Sequence, residues 1–342
     1  MSDKRVSWAD GMKGLSALMV MLYHAAVQPD VKSIAYLLCL PAFFFVAGLF
    51  ANTNNTPDIF FRRKTLRLLI PYLVFGVLCW LLWLIIGCKF GSNADNDVRW
   101  WFPLWGLLCG KVELLIQNRP LWFLCCMICT EWLYYALCRV PYRVVRWLGV
   151  GLIAVFGCVL SKYGKTAVWE ITAAMLVLPI YVVGAEGSHY FRTHMIQCRY
   201  VTLLVVLTIS LIGIGIGYFF NPEFHISTCQ TGNPLLFYLT AFSVMGFWLA
   251  VCVLLEKRVG FARWLRYFGQ NTLIVLCTHI PLYGFVKGMA MLCQVPLEFF
   301  TTSIGSIALC AISLALLYPI MYIINRFFPF LIGKCVNPLS AS

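Results

Sequence analysis

Charge is what this sequence has least of. Asp, Glu, Lys and Arg make up 11% of it and hydrophobic residues 61%, whereas soluble globular proteins carry roughly 25% charged residues. Core packing cannot absorb that excess, which excludes a soluble domain. Acidic residues are scarcer still, 13 against 26 basic ones. The resulting formal net charge of +13 would suggest nucleic acid in a soluble protein. In a membrane chain it is first an orientation signal, and no nucleic-acid partner is expected. Also missing are a low-complexity tail and an internal repeat. Asp3, Asp10 and Lys13 interrupt the first twenty residues, with no small-residue cleavage site after a short apolar core. The first span therefore reads as an uncleaved insertion signal.

Cysteine, by contrast, is plentiful, with 16 residues. Most lie in apolar runs such as "LWFLCCMICTEW", where a thiol serves as a small buried hydrophobe. Cys126 and Cys129 have redox-motif spacing, but no second pair with zinc-ligand spacing accompanies them, and no metal is expected. Cys109 and Cys229 fall in segments assigned to the outside, where they can pair.

Apolar runs near twenty residues long recur, each enough for a hydrocarbon core of about 30 Å. They predict an all-α polytopic membrane protein of about ten helices, at 11–28, 34–51, 66–88, 119–138, 144–161, 167–186, 200–220, 235–255, 272–292 and 303–325. One membrane domain fills residues 1–342, with its core at about 8–328. With both termini cytoplasmic, eighteen of the 26 basic residues fall in inside segments and adjoining helix ends, as the positive-inside rule requires. The longest outside segment, "KFGSNADNDVRWWFPLWGLLCGKVELLIQNRP", is polar first and then rich in tryptophan. Its aromatic part is expected along the interface or folded back as a short helix.

Chemistry in so apolar a chain must come from its few ionisable residues. In "DGMKGLSALMVMLYHAA", Lys13 and His24 are eleven residues apart. That separation turns a helix about 1100°, some 20° past three full turns, and advances it about 16 Å. The two side chains share a face, with Asp10 near the same stripe. Two readings stand: Lys13 snorkels to the interface while His24 bonds a neighbouring helix, or both face a pathway, as ionisable groups at depth usually do. A second feature, "FFRRKTLRLLIPYL", packs Arg62, Arg63, Lys64 and Arg67 together. It either anchors topology and meets anionic lipid, or grips a phosphorylated ligand, for which Lys64 and Arg67 lie on one face. A third, "FGQNTLIVLCTHIPLY", carries Asn271 at the start of the ninth span and His279 within it, as a core histidine or a functional one. Glu131, in the fourth span, needs a basic neighbour that the sequence does not name.

These pieces together resemble the membrane acyltransferase-3 family, and particularly its fucose 4-O-acetylase-like branch. The family opens with an acidic and a basic residue on its first helix, then ten residues and a histidine, which here match Asp10, Lys13 and His24. "LPAFFFVAGLF" is similar to its aromatic second helix, and "RRKTLRLLIPYL" to its basic cluster followed by a Pro-Tyr pair. "PLWFLCCMI" resembles its Leu-Trp-Phe-Leu element, which makes Trp122 a further candidate. "LPIYVVGAEG" and "FGQNTLIVLCTHIPL" resemble its later glycine and histidine elements. The chain departs by having Lys13 where the family commonly has arginine, and Lys64 in place of one member of an arginine pair. Lysine keeps the charge but loses the bidentate fork.

The resemblance implies an acetyl-CoA-dependent O-acetyltransferase of the bacterial cytoplasmic membrane. Its acceptor would be a hydroxyl of a cell-surface glycan or lipid-linked sugar. Arg63, Lys64 and Arg67 would hold the anionic donor, with Lys13 helping, and His24 would act as general base or as acyl relay. An imidazole suits proton transfer because its unperturbed pKa of about 6.5 is near working pH. Asp10 would orient Lys13. Membrane lipids are the remaining expected partners. A transporter or flippase for lipid-linked sugars, which also uses intramembrane charge, and a non-enzymatic membrane protein are the alternatives.

Overall fold

The computed structural model describes residues 6–25, 28–88, 98–164, 166–258 and 263–334. Among these the regular elements are all helical: α1 (Ser7–His24), α2 (Pro29–Cys39), α3 (Pro41–Leu49), α4 (Pro57–Gly87), α5 (Phe102–Cys109), α6 (Arg119–Leu137) and α7 (Arg143–Lys162). They continue with α8 (Val168–Glu186), α9 (Ser188–His194), α10 (Tyr200–Phe220), α11 (Pro234–Arg258), α12 (Arg263–Gln270), α13 (Thr272–Leu292) and α14 (Ser303–Phe327). Strand pairing among the described residues is limited to an isolated antiparallel bridge between His225 and Gln230.

Nine of these stretches, counting α2 and α3 as one, are long and apolar enough to cross a membrane. The chain is an all-α polytopic membrane protein. Each of the ten expected spans finds a helix, but α1 is not among the nine, because Asp10, Lys13 and His24 dilute the apolarity of its 18 residues. Its depth in the fold shows what those residues are for: α1 packs against α2, α3, α11, α12 and α13 at the centre of the bundle. By contrast α7, α10 and α14 expose most of their surface. Leu148, Leu152, Val155, Leu204 and Ile209 are exposed there, an apolar outer surface suited to lipid.

Two departures from the expected spans, and one folded-back segment, shape the interior. The second span is broken at Leu40–Pro41 into α2 and α3, since proline cannot donate the hydrogen bond that would continue the first helix. The third begins at Pro57 rather than 66, and Phe61–Thr65 is wound as a π-helix. The basic cluster is thus part of the helix rather than a flank, in a widened turn of a kind found frequently at functional sites. The expected outside segment folds back, as one of its two anticipated arrangements required; its polar residues 89–97 lie outside the described residues. Helix α5 ends at Gly110, whose φ of 64° is left-handed, and residues 111–118 return through the protein. The Tyr72 hydroxyl donates to the Leu107 carbonyl at 2.5 Å, and Asn118 Nδ2 to the Cys277 carbonyl at 2.8 Å. Irregular backbone at membrane depth survives only where protein or a polar cavity satisfies it; here the Val112 N–H donates to Glu170 Oε1 at 2.7 Å and the Asn118 N–H to the Leu115 carbonyl at 3.2 Å.

Helices α3 and α8 cross at close range, through glycines. A Cβ on Gly48 would lie 2.0 Å from the Tyr181 carbonyl oxygen, and one on Gly184 2.2 Å from that of Phe45. Small residues at such crossings let packing alone hold membrane helices together. Gly184→Ala should therefore lower stability by about 1–3 kcal/mol, the usual cost of overpacking. Gly151→Ala, where an added Cβ meets nothing within 4 Å, should not. Thermal unfolding in detergent compares the two, and equal midpoints would refute the crossing as a constraint.

Candidate active site

Lys13, Ala17, Val20, Tyr23 and His24 recur at helical spacing along one face of α1, and all five line a cavity of about 540 Å³. The remaining walls come from α2, α3, the start of α4, α6, Gln270 at the end of α12 and the start of α13, with Val112 and the loop residues Ser227 and Thr228. Lys13 and His24 thus occupy the two ends of one space. Alternate helices run in opposite directions, so Phe50, Lys64, Arg67, Glu131 and Gln270 gather at the Lys13 end. Lys32, Tyr36, Arg119, Ser227 and Thr228 gather at the His24 end.

Charge pairing fixes the Lys13 end. Lys13 Nζ is 2.8 Å from Asp10 Oδ1, one helical turn away on α1, and Gln270 Nε2 donates to Asp10 Oδ2 at 3.0 Å. Asp10 is buried behind the lining rather than within it, so it positions Lys13 from outside the cavity. Helix α12 can come close enough to deliver Gln270 because its neighbour is glycine: a Cβ at 269 would lie 1.8 Å from the Asp10 carbonyl oxygen. The basic neighbour required by Glu131 is Lys64, whose Nζ lies 3.2 Å from Glu131 Oε1 and 3.5 Å from the Phe50 carbonyl. The π-turn carries Lys64 inward while Arg62 and Arg63 stay exposed, and Arg63 does not reach the cavity lining. Arg67 lines the cavity and, among the described residues, pairs with no carboxylate. The four basic residues therefore separate into one paired lysine, one cavity arginine and two surface arginines.

At the other end, His24 lies between two rings. Tyr23 is edge-on at 4.8 Å between centroids and His279 is tilted at 5.3 Å. His279 is fully buried, and its Nδ1 is 2.8 Å from the Val275 carbonyl. That acceptor requires a proton on Nδ1 and leaves Nε2 as the lone-pair nitrogen, which has no hydrogen-bond partner among the described residues. His279 thus stands beside His24 without itself lining the cavity. Trp122 and Phe123 contribute aromatic wall. Asn271 does not reach the cavity; it sits in the turn between α12 and α13 and accepts from Asn325 Nδ2 at 2.6 Å, tying α13 to α14.

Several lining residues were not legible as site residues in the sequence. Lys32 and Arg119 stand outside any basic cluster, near the ends of expected spans, and Tyr23 and Tyr36 look like interface aromatics. Ser227 and Thr228 are brought in by the loop after α10, itself tied by the His225–Gln230 bridge. Their common signal is position next to an expected span end, which is too weak to single them out. Among the described residues no group of three or more His, Cys, Asp or Glu side chains is arranged to hold a metal ion. Cys109 and Cys229 are both free thiols, Cys229 buried, so the pairing open to them is not formed.

A polytopic helical bundle enclosing a cavity that one helix lines with both a lysine and a histidine has the architecture of a membrane protein with an internal candidate active site. Residues 6–331 match the family described as an acyltransferase domain, and the chain belongs to this acyltransferase-3 family. It is a membrane acyltransferase. No curated protein and no solved structure matched it.

The Lys64–Glu131 pair yields a stability test. Removing one partner of a buried ion pair leaves an uncompensated charge and costs about 3–5 kcal/mol. Lys64→Met should lower the unfolding midpoint strongly, and the double change Lys64→Met with Glu131→Gln should recover most of the loss. A single variant as stable as the parent would show that Glu131 does not depend on Lys64.

Proposed function

We propose that this acyltransferase moves an acetyl group from cytoplasmic acetyl-CoA to a hydroxyl of a cell-surface glycan or its lipid-linked precursor, across a bacterial cytoplasmic membrane. What carries the reading is that a single cavity joins Lys13 and Arg67 to His24 along one helix face, a span of about 16 Å. That length suits a donor whose phosphates stay at the basic end while its acyl arm reaches inward. Arg67 supplies the main phosphate contact, since the Lys64 charge is offset by Glu131. Lys13, held by Asp10, is the second.

The reaction uses His24 as general base. The imidazole nitrogen takes the proton of the acceptor hydroxyl as its oxygen attacks the thioester carbonyl carbon. The C–S bond then breaks, and the CoA thiolate leaves with that proton returned from the imidazolium. Such proton transfer contributes about 10²–10⁴ in rate. His279, whose lone-pair nitrogen lies on the neighbouring ring, keeps the His24 ring in place.

Purified protein in nanodiscs, given acetyl-CoA and a glycan acceptor, tests this by release of free thiol. His24→Ala should lose transfer by about 10²–10⁴ while still binding acetyl-CoA, and substantial remaining activity would overturn the mechanism. Arg67→Gln should raise the donor KM about tenfold with kcat little changed, as expected for a charge-assisted contact remote from the reacting bond. An unchanged donor KM would remove Arg67 from the donor site. Lys13→Arg should be tolerated.

The sidedness has its own check. A cytoplasm-dependent reporter fused at the C-terminus should be active, and one that works only outside should not. The reverse result would place the Lys13 end outside and exclude a cytoplasmic donor.

A further inference from the structure

The His24 end of the cavity has a composition unlike the rest. Its floor is aromatic: Tyr23 and Tyr36 lie 4.9 Å apart between centroids, and Tyr36 stacks on His225 at 4.6 Å with 27° between planes. Burial holds His225 below the usual imidazole range, so it stacks as a neutral ring. The floor is rigidly built. The Ser227 backbone N–H donates to the Tyr36 hydroxyl at 3.0 Å, and Asn221 Nδ2 donates to the Thr231 carbonyl at 3.0 Å across the base of the same loop. Polar side chains face it, and the Thr228 hydroxyl, which lines the cavity, is buried without a hydrogen-bond partner among the described residues.

Above this floor stand two cations. Lys32 Nζ lies 5.4 Å from the centre of the Tyr23 ring, and Arg119 lines the wall at the start of α6. Both are exposed, and neither belongs to any ion pair among the described residues. Glu131 is the acidic residue of the lining, and it is committed to Lys64 at the opposite end. Asp30 is two residues from Lys32 on α2, which puts it about 200° around the helix. Aromatic faces flanked by hydroxyls suit the apolar and polar faces of a sugar ring, and two cations with no carboxylate among the lining residues at this end suit a negative charge attached to it.

We propose that this end of the cavity is a binding site for a sugar carrying a negatively charged group, a phosphate or a carboxylate, with Lys32 and Arg119 reading the charge and Tyr23 and Tyr36 the ring. It rests on the reading above only in making that sugar the acceptor; binding itself needs no donor and no transfer.

The test is equilibrium binding to the full-length protein in phosphatidylcholine nanodiscs, measured by saturation-transfer NMR without acetyl-CoA. The probes are glucose 1-phosphate, glucuronic acid, methyl glucoside and inorganic phosphate. At least one charged sugar should bind tenfold or more tightly than methyl glucoside, and which one does so distinguishes phosphate from carboxylate. That preference should vanish in Lys32→Gln/Arg119→Gln, whose exposed side chains can be replaced without disturbing the core, and should persist in Arg67→Gln. No preference for charge, a preference that follows Arg67 instead, or inorganic phosphate binding as tightly as glucose 1-phosphate would each overturn the proposal. Because no step involves acetyl-CoA, failure here leaves the acetyl-transfer reading to its own assay, and failure there leaves this site standing.

Discussion

A lysine inside an apolar bundle must be answered by a carboxylate, and that constraint organises this protein. Two such pairs, Lys13 with Asp10 and Lys64 with Glu131, stand at one end of the cavity. They are supplied by α1, α4 and α6, and Gln270 from α12 completes the first. A charge at this depth is costly alone; paired, Lys64 and Glu131 tie α4 to α6, while Asp10, which holds Lys13 within α1, reaches α12 through Gln270. The cavity walls elsewhere are aromatic and aliphatic.

The same pairing divides labour among cations that look alike. Arg63, Lys64 and Arg67 lie within one and a half turns of helix, yet one faces outward, one is neutralised and one keeps its charge for the cavity. The π-wound turn at Phe61–Thr65 contributes to that separation, since an added residue per turn changes which side chains point inward. Lysine in place of arginine at 64 also becomes intelligible. A single-point cation suits the single close contact to Glu131, whereas the bidentate fork of arginine is most useful against phosphate. Arg67 is then the cavity-lining cation of this cluster that no carboxylate pairs among the described residues.

Backbone proximity does the remaining positioning. Gly269 lets α12 touch α1 beside Asp10, and the Gly48–Gly184 crossing holds α3, a cavity wall, against α8. The folded-back segment after α4 brings Val112 to the lining and is tied to α4 and α13 through Tyr72 and Asn118. Glycine contacts and buried amide bonds thus add to what the ion pairs hold.

How much of this was legible in the sequence depends on the range of the interaction. The membrane class followed from scarce charge, and the helices from apolar runs long enough to cross a bilayer. The Lys13–His24 face followed from helical geometry alone, because both residues lie on one element. The family resemblance rested on motifs in order along the chain, and the match over residues 6–331 agrees with it. What lay beyond reach were contacts between elements distant in the chain. Glu131 announced a missing partner but could not name Lys64, 67 residues away. His279 could not be seen beside His24, nor Tyr36 on His225, nor Lys32 and Arg119 at one mouth. Periodicity along one helix assigns a face, but only the packing of helices against one another decides what that face meets. The sequence by itself therefore determined the bundle and its polar stripe, and the tertiary structure decided which charges cancel and which remain for a substrate.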